Sequence, residues 1–195
     1  MREVDGEGHA QSGWGLEITT QRLILRPFRT EDAPALHVLF ADPEAMRFWS
    51  TPPHQSLAET EDFVNRTIHA AKTGTGDDRV VLMDGRIVGK AGLWNNLEIG
   101  FIFAPGVWGA GVASEAVRAV LAHEAGKGKA EILADVDPRN AACIRLLTRT
   151  GFVQTGMATH TAQIGAQWVD SLYFKADLRR AGPDARQPGA PWAGR

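Results

Sequence analysis

Short runs of apolar residues with period two alternate along the chain with segments in which apolar residues recur every three and four positions, and this alternation sets an order of elements. The run Arg-Leu-Ile-Leu-Arg-Pro-Phe predicts a strand over 22–28. Two helices are predicted next. The first opens at Thr30 as N-cap, with Glu31 and Asp32 in its first turn. The second opens at Ser56, where Glu59 completes a capping box before Phe63, Val64, Ile68 and Ala71. Residues 41–55 connect them. Arg79 to Met83 and Arg86 to Leu93 read as strands around an Asp84-Gly85 turn, a strong hairpin signal. After Trp94-Asn95-Asn96, another strand is predicted over 98–103. Ala113, Ala116, Val117, Val120 and Leu121 then share one face of a helix that Gly126 and Gly128 can stop. Ile132, Ala134 and Val136 alternate within a strand over 131–136. Asp137-Pro138-Arg139-Asn140 forms a helix entrance, and Gly151 ends that helix. The last strands are expected over 152–156 and, after a polar stretch, over 168–175.

One stretch carries chemistry on its face. In 105–117, Gly109 and Gly111 stand directly before the start of a strongly patterned helix. Glycine lets the chain turn tightly and bring bare N–H groups to a ligand, and a helix N-terminus adds unpaired amides and about half a positive charge. That combination suits a phosphate-bearing ligand. Dinucleotide-binding and P-loop proteins also place glycines before helices, but here no Gly-Lys-Ser/Thr follows and the loop comes after the fourth strand, not the first.

Composition narrows the classes. A chain of 195 residues suits one domain with a substantial core, and a net charge of −2 disfavours a dedicated nucleic-acid binder. Cys143 is the single cysteine, so no internal disulfide forms, and no apolar run reaches the roughly 18 residues of a membrane span. Residues 1–15 carry Glu3, Asp5 and Glu7 and no apolar signal segment, so a cytoplasmic protein is expected. Residues 1–15 and 180–195 are polar or Pro/Gly/Ala/Arg-rich and read as flexible tails around a domain over 16–179. A homodimer is the default assembly. His9, His69 and His123 read as solvent-facing, and no Cys/His cluster has metal-ligand spacing, so no metal is expected.

The element order, together with Ile18-Thr-Thr-Gln-Arg-Leu-Ile-Leu-Arg-Pro-Phe28, Glu98-Ile-Gly-Phe101, Trp108-Gly-Ala-Gly-Val-Ala-Ser-Glu-Ala116, Val136-Asp-Pro-Arg-Asn140 and Thr150-Gly-Phe-Val153, resembles the GNAT acyltransferase superfamily. Within it, the chain is most similar to the branch typified by ribosomal-protein N-terminal acetyltransferases. The resemblance covers about residues 17–178. It implies an α/β (α+β) fold: a mixed, mostly antiparallel twisted sheet, splayed between its fourth and fifth strands and flanked by helices. It implies acetyl-CoA as cosubstrate, with the pyrophosphate on amides from Gly109 through Ala110, Gly111, Val112 and Ala113 to Ser114. Trp108 takes a place where the family usually has Gln or Arg. The pantetheine arm is expected in the splay, held near Ile102 and Phe103 and by Asn140, and an amide at a bulge in the 98–103 strand is expected to stabilise the oxyanion.

Asn140, Cys143 and Leu147 share one helical face by their spacing. By the resemblance, Leu147 stands where many GNAT enzymes have a catalytic tyrosine and Cys143 where this branch usually has serine. The departing thiolate therefore needs another acid: the thiol of Cys143, ranked first, water, or Tyr173. Cys143 is also read as a packing residue or, last, as a nucleophile. Glu98 is the expected general base, direct or through water, against the reading of a solvated strand start or ion-pair partner. Trp49, Trp94, Asn95, Trp168 and Asp170, with Asn96, are candidates for the acceptor pocket, the tryptophans being equally readable as core. The expected reaction is acetyl transfer to a primary amine, on a protein N-terminus or a small molecule, by direct attack in a ternary complex. An acyl-CoA-binding protein with little catalysis is the alternative, and an interaction subunit acting through its Pro/Arg-rich tail is a third reading.

Overall fold

The computed structural model describes residues 16–164 and 167–180. A five-stranded antiparallel sheet runs in chain order through β1 (Ile18–Thr19), β2 (Leu23–Pro27), β3 (Asp77–Met83), β4 (Arg86–Leu93) and β5 (Ile99–Phe103). Helices α1 (Ala33–Phe40) and α2 (Leu57–Thr73) lie between β2 and β3. A second, three-stranded sheet contains β6 (Glu131–Val136), β7 (Val153–Ile164) and β8 (Gln167–Asp177) in the order β6-β8-β7. Helix α3 (Val112–Gly126) joins β5 to β6, and α4 (Ala141–Arg149) joins β6 to β7.

The two faces of the first sheet are buried by different helices. Leu23, Leu25, Val81 and Phe103 pack with Val112, Ala116, Val117 and Val120 of α3, and Ile132, Ala134 and Val136 of β6 join them. Val80 and Ile102, one residue along and therefore on the opposite face, pack with Leu36 and Phe40 of α1 and Val64 of α2. Between β5 and β6 a parallel bridge pairs Glu98 with Leu133, and the Leu133 N–H donates to the Leu97 carbonyl at 2.9 Å. Among the described residues no further strand pairing links the two sheets, so they part beyond this point. This is the expected splay; its strands are β5 and β6 because β1, too short to show a pattern, precedes the predicted set.

Local chemistry explains the agreements. Asp84 and Gly85 both take positive φ (51° and 73°), as a two-residue turn matching the strand twist requires, and Met83 pairs with Arg86. Ser56 caps α2, accepting from the Glu59 N–H. Gly74 in left-handed conformation ends α2.

Other expectations are corrected. Thr30 does not cap α1: residues Thr30–Asp32 form a 3-10 turn, and the N-cap position falls to Asp32. The Asp32 carboxylate accepts from the Arg29 N–H at 2.8 Å and from both terminal nitrogens of Arg26 at 2.7 Å, and this pairing holds the turn tight. Strand β3 starts two residues earlier than predicted, because Asp77 and Asp78, which carry no apolar alternation, are buried against cations. The polar stretch after 156 is strand, not loop. It pairs with β8 along a hairpin whose residues are mostly exposed, so no apolar alternation marks it. The register of β5 against β4 is unbroken, so the bulge expected in that strand is not there; the irregularity lies between Val81 and Leu82 of β3. The expected tails, apart from Arg180, lie outside the described residues.

Candidate active site

The glycine loop has the geometry of an anion cradle. Gly109 and Gly111 take φ of 74° and 78°, and Gly111 is the N-cap of α3. No side chain caps the helix. The first helical hydrogen bond in the loop runs from the Glu115 N–H to the Gly111 carbonyl at 3.1 Å. Among the described residues, the amides from Gly109 to Ser114 meet no acceptor. Gly109, Ala110 and Gly111 are exposed, while Val112 is buried and Ala113 packs on the core, so the helix start is anchored and its amides face outward. A Cβ at Gly109 would meet no atom within 4 Å. These residues fit a diphosphate: exposed backbone donors, aligned with the α3 dipole. Trp108, 48% exposed, ties the loop to the sheet by donating its indole N–H to the Phe103 carbonyl at 2.8 Å.

The open edge beside this loop belongs to alternate residues of β5. The Ala104 N–H donates to the Val88 carbonyl, and Ile102 is paired with Lys90 on β4. Ile102, expected to hold the pantetheine, thus has its backbone engaged by β4. Antiparallel alternation directs the backbone of Phe101 and Phe103 toward the gap. The Phe103 N–H remains as a donor there, since its carbonyl is taken by Trp108.

Helix α4 follows β6 and packs into the same core as Phe103 and Val136. Asn140 is its N-cap, and its side-chain oxygen accepts from the Cys143 N–H at 3.0 Å. Leu147 is fully buried in the core below. Burial pushes the Cys143 thiol up to about 12. A thiol held so far above the ordinary value of about 8.5 is a poor source of thiolate at neutral pH, which argues against the reading of Cys143 as a nucleophile.

On the opposite face, Glu98 stands where β5 and β6 last touch. Its bridge to Leu133 places both side chains on the face of Gly100 and Ile102, which is the α1/α2 side. Asp135, two residues beyond Leu133, shares that face, and Tyr173 on the neighbouring β8 pairs with it. Burial pushes the Glu98 carboxyl up; the Trp94 and Asn95 side chains pull it back in part, Asp135 adds to the rise, and the net direction is upward. Asn95, expected at the acceptor, is engaged locally: its side-chain oxygen accepts from the Leu97 and Glu98 N–H groups at 2.9 and 2.7 Å.

Gly100 brings the predicted tryptophans together. A Cβ there would lie 3.6 Å from Trp94 Cδ1, 4.0 Å from Trp49 Cη2 and 3.3 Å from Lys90 Nζ. Lys90 is buried, donates to Asp78 at 2.7 Å and lies 4.8 Å from the Trp49 ring centroid. No sequence pattern marks this lysine as a site residue; a charged residue at an inward-facing position of a central strand is the only trace. Trp168 and Asp170 stand elsewhere. They line a shallow cleft of about 170 Å3 with Asp137, Pro138 and Arg139, where Asp170 accepts from the His160 N–H at 2.9 Å. Tyr173 stands between Asp135 of β6 and Gly156 of β7 in the sheet register, and a Cβ at Gly156 would lie 3.7 Å from its ring.

His123 is half-buried, not solvent-facing: Arg79 donates to its Nε2 at 3.0 Å where the end of α3 docks on β3. With Asp77 and Glu124 it forms a trio whose ligand atoms lie within 4.8 Å of one another. The Lys127 ammonium already stands in the cation's place, 2.7 Å from Asp77 and 3.0 Å from Glu124. No described helix is long and apolar enough to cross a membrane.

A family model described as the acetyltransferase (GNAT) domain matches residues 22–153. The N-acetyltransferase p20 of Bacillus licheniformis is 25% identical over 166 residues, 80% of this chain and 93% of that protein. RimJ of Mycobacterium smegmatis, solved in complex with CoA-disulfide, has a TM-score of 0.78 at 21% identity and covers 86% of this chain and 90% of its own. The spermidine N-acetyltransferase of Vibrio cholerae, solved with CoA and spermine, has a TM-score of 0.72 at 22% identity over 82% and 98%. The structural likenesses establish the fold, and the family match extends over more than half of the sequence. With an amide cradle, an open strand edge and a carboxylate at the splay, the chain belongs to the GNAT family and is an acetyl-CoA-dependent N-acetyltransferase.

Proposed function

We propose that the protein acetylates a primary amine by direct attack in a ternary complex, with Glu98 removing the amine proton directly or through one water. The observation that carries this reading is the position of Glu98: at the parting of β5 and β6, on the face opposite α3, with its carboxyl raised by burial. A base poised above the ordinary carboxylate range is better matched to an amine near neutral pH. The donor would be held by the amides of Gly109 to Ser114, by the Phe103 N–H and beside Asn140. Its thioester would supply the acetyl group and the leaving thiolate, which takes its proton from water.

The acceptor would approach from the α1/α2 side, between Trp49 and Trp94 over Gly100. The carboxylates of Glu98 and Asp135 favour an amine arriving as its cation. The amine must lose that proton before attack. A lysine side chain near 10.4 and an α-amine near 7.8 differ by about 2.6 units, or roughly 3.5 kcal/mol in the free-base population at neutral pH. With Glu98 as the one base, the α-amine of a protein or peptide, or another weakly basic amine, is the favoured acceptor.

The test is CoA release at pH 7 with short peptides bearing a free N-terminus, the same peptides blocked at the N-terminus, and a polyamine. Release with the free peptides alone supports the α-amine reading; preference for the polyamine overturns it. The complete burial of Leu147, where many relatives in the family carry a tyrosine acid, favours a second reading of acyl-CoA binding with little catalysis. CoA release no faster than spontaneous hydrolysis across a broad amine panel would support that second reading.

A further inference from the structure

We infer that Arg22 is a positioning residue for acetyl-CoA, acting by removing the charge of Glu115 from the phosphate cradle. Glu115 lies in the first turn of α3, one turn from the amides that face the ligand. A carboxylate there favours the helix dipole but opposes a diphosphate at the same helix end. Both carboxylate oxygens of Glu115 are engaged by the start of β2 instead. The Thr20 hydroxyl donates to Oε1 at 2.6 Å, the Arg22 N–H donates to Oε1 at 3.0 Å, and the Arg22 Nε donates to Oε2 at 2.7 Å. The Arg22 NH2 group lies 2.7 Å from the same Oε2. Burial on its own raises the Glu115 carboxyl, and these donors outweigh it, so the group stays ionised and paired.

The same guanidinium holds the loop. Its NH1 donates to the Ala110 carbonyl at 2.9 Å, and its NH2 would be 3.6 Å from a Cβ at Gly111. With the Ala110 carbonyl bound toward β2, that acceptor is kept away from the incoming phosphates, and the peptide N–H groups around it are left facing them. Arg22 thus does two things from outside the reacting atoms: it cancels one negative charge and fixes one carbonyl. Lysine can supply the charge but not the fork that spans Glu115 and Ala110.

The variants Arg22→Ala, Arg22→Lys, Glu115→Gln and the double variant Arg22→Ala/Glu115→Gln separate these contributions. Acetyl-CoA affinity is read by titration calorimetry at two salt concentrations, with thermal midpoints recorded for each protein. Arg22→Ala is expected to weaken acetyl-CoA about tenfold, because it leaves Glu115 uncompensated beside the phosphates. Removing that carboxylate as well should restore most of the loss, and Arg22→Lys should fall between. Glu115→Gln alone should keep or improve affinity, which tests the idea even where Arg22→Ala fails to fold. A merely structural role would lower the thermal midpoint in the double variant at least as far as in Arg22→Ala, with no recovery of affinity. The inference is overturned by a double variant as weak as Arg22→Ala, by unchanged affinity in Arg22→Ala, or by a loss of affinity in Glu115→Gln.

Discussion

Replacing Lys90 with Met should destabilise the protein and loosen the acceptor side of the site while sparing the cofactor side. Lys90 and Asp78 are a buried pair at 2.7 Å, with side chains only 1% and 4% exposed. Removing the ammonium strands a carboxylate in the interior, and breaking a buried pair in this way costs about 3–5 kcal/mol. For a domain of this size each kcal/mol moves the midpoint by roughly 2–4 °C, so the expected fall is about 6–20 °C by calorimetry. Changing Asp78→Asn in the same chain should recover most of it, because the amide tolerates burial and its oxygen still accepts from the Arg79 N–H, as the carboxylate does at 3.1 Å. The functional consequence follows from geometry. The Lys90 ammonium lies 4.8 Å from the Trp49 ring, on the face of Glu98 and Gly100, whereas the α3 cradle is on the other face. The acceptor KM should therefore rise while acetyl-CoA affinity, measured by titration, stays level. A midpoint change below about 2 °C, or single and double variants that are simply additive, would refute the coupled pair. A parallel loss of acetyl-CoA affinity would refute the separation of the two faces.

The remaining predictions concern protons. Glu98→Gln should reduce turnover far more than acetyl-CoA affinity and should abolish the acidic limb of the rate profile, which in the parent is expected above the ordinary carboxylate range because burial raises Glu98; an unchanged limb dismisses it as base. Cys143→Ser should leave turnover within about twofold, since a thiol pushed up to about 12 is not ionised to attack at neutral pH and water can protonate the leaving thiolate in its place; a large loss restores it as a participant. For Asp77, burial alone raises the carboxyl, but Lys127 and Arg79 prevail and hold it down to about 2. Its folded value is depressed, so its contribution is present above the unfolded value near 3.8 and lost as pH falls toward 2. Urea midpoints should decline between about pH 4 and pH 2 in the parent and more gently in Asp77→Asn; matching slopes would remove Asp77 from acid unfolding.

Much of the frame was legible because local rules and tertiary demands coincide. The Asp84-Gly85 turn, the Ser56 cap, the glycine loop before α3 and the alternation in β6 each satisfy their own backbone, and the fold uses them as they stand. Glu98 could be singled out for the same reason: its motif and its place at a strand start are sequence properties. What failed locally was decided by partners far along the chain. Asp77 and Arg79 look like surface charges until β3 brings them to Lys127 and His123 at the α3 end, and so do Asp78 and Lys90 until β3 and β4 pair them on the opposite face. Strand β7 is polar because its hairpin stays largely in solvent, so pairing with β8, not burial, defines it. The proposed acceptor face likewise rests on the tertiary structure, which set Trp49 and Trp94 around Gly100 and left Trp168 in a separate cleft. Periodicity and turn chemistry report which face of an element is apolar and where the chain bends; they carry no information on which charge meets which across dozens of residues, and only packing supplies that.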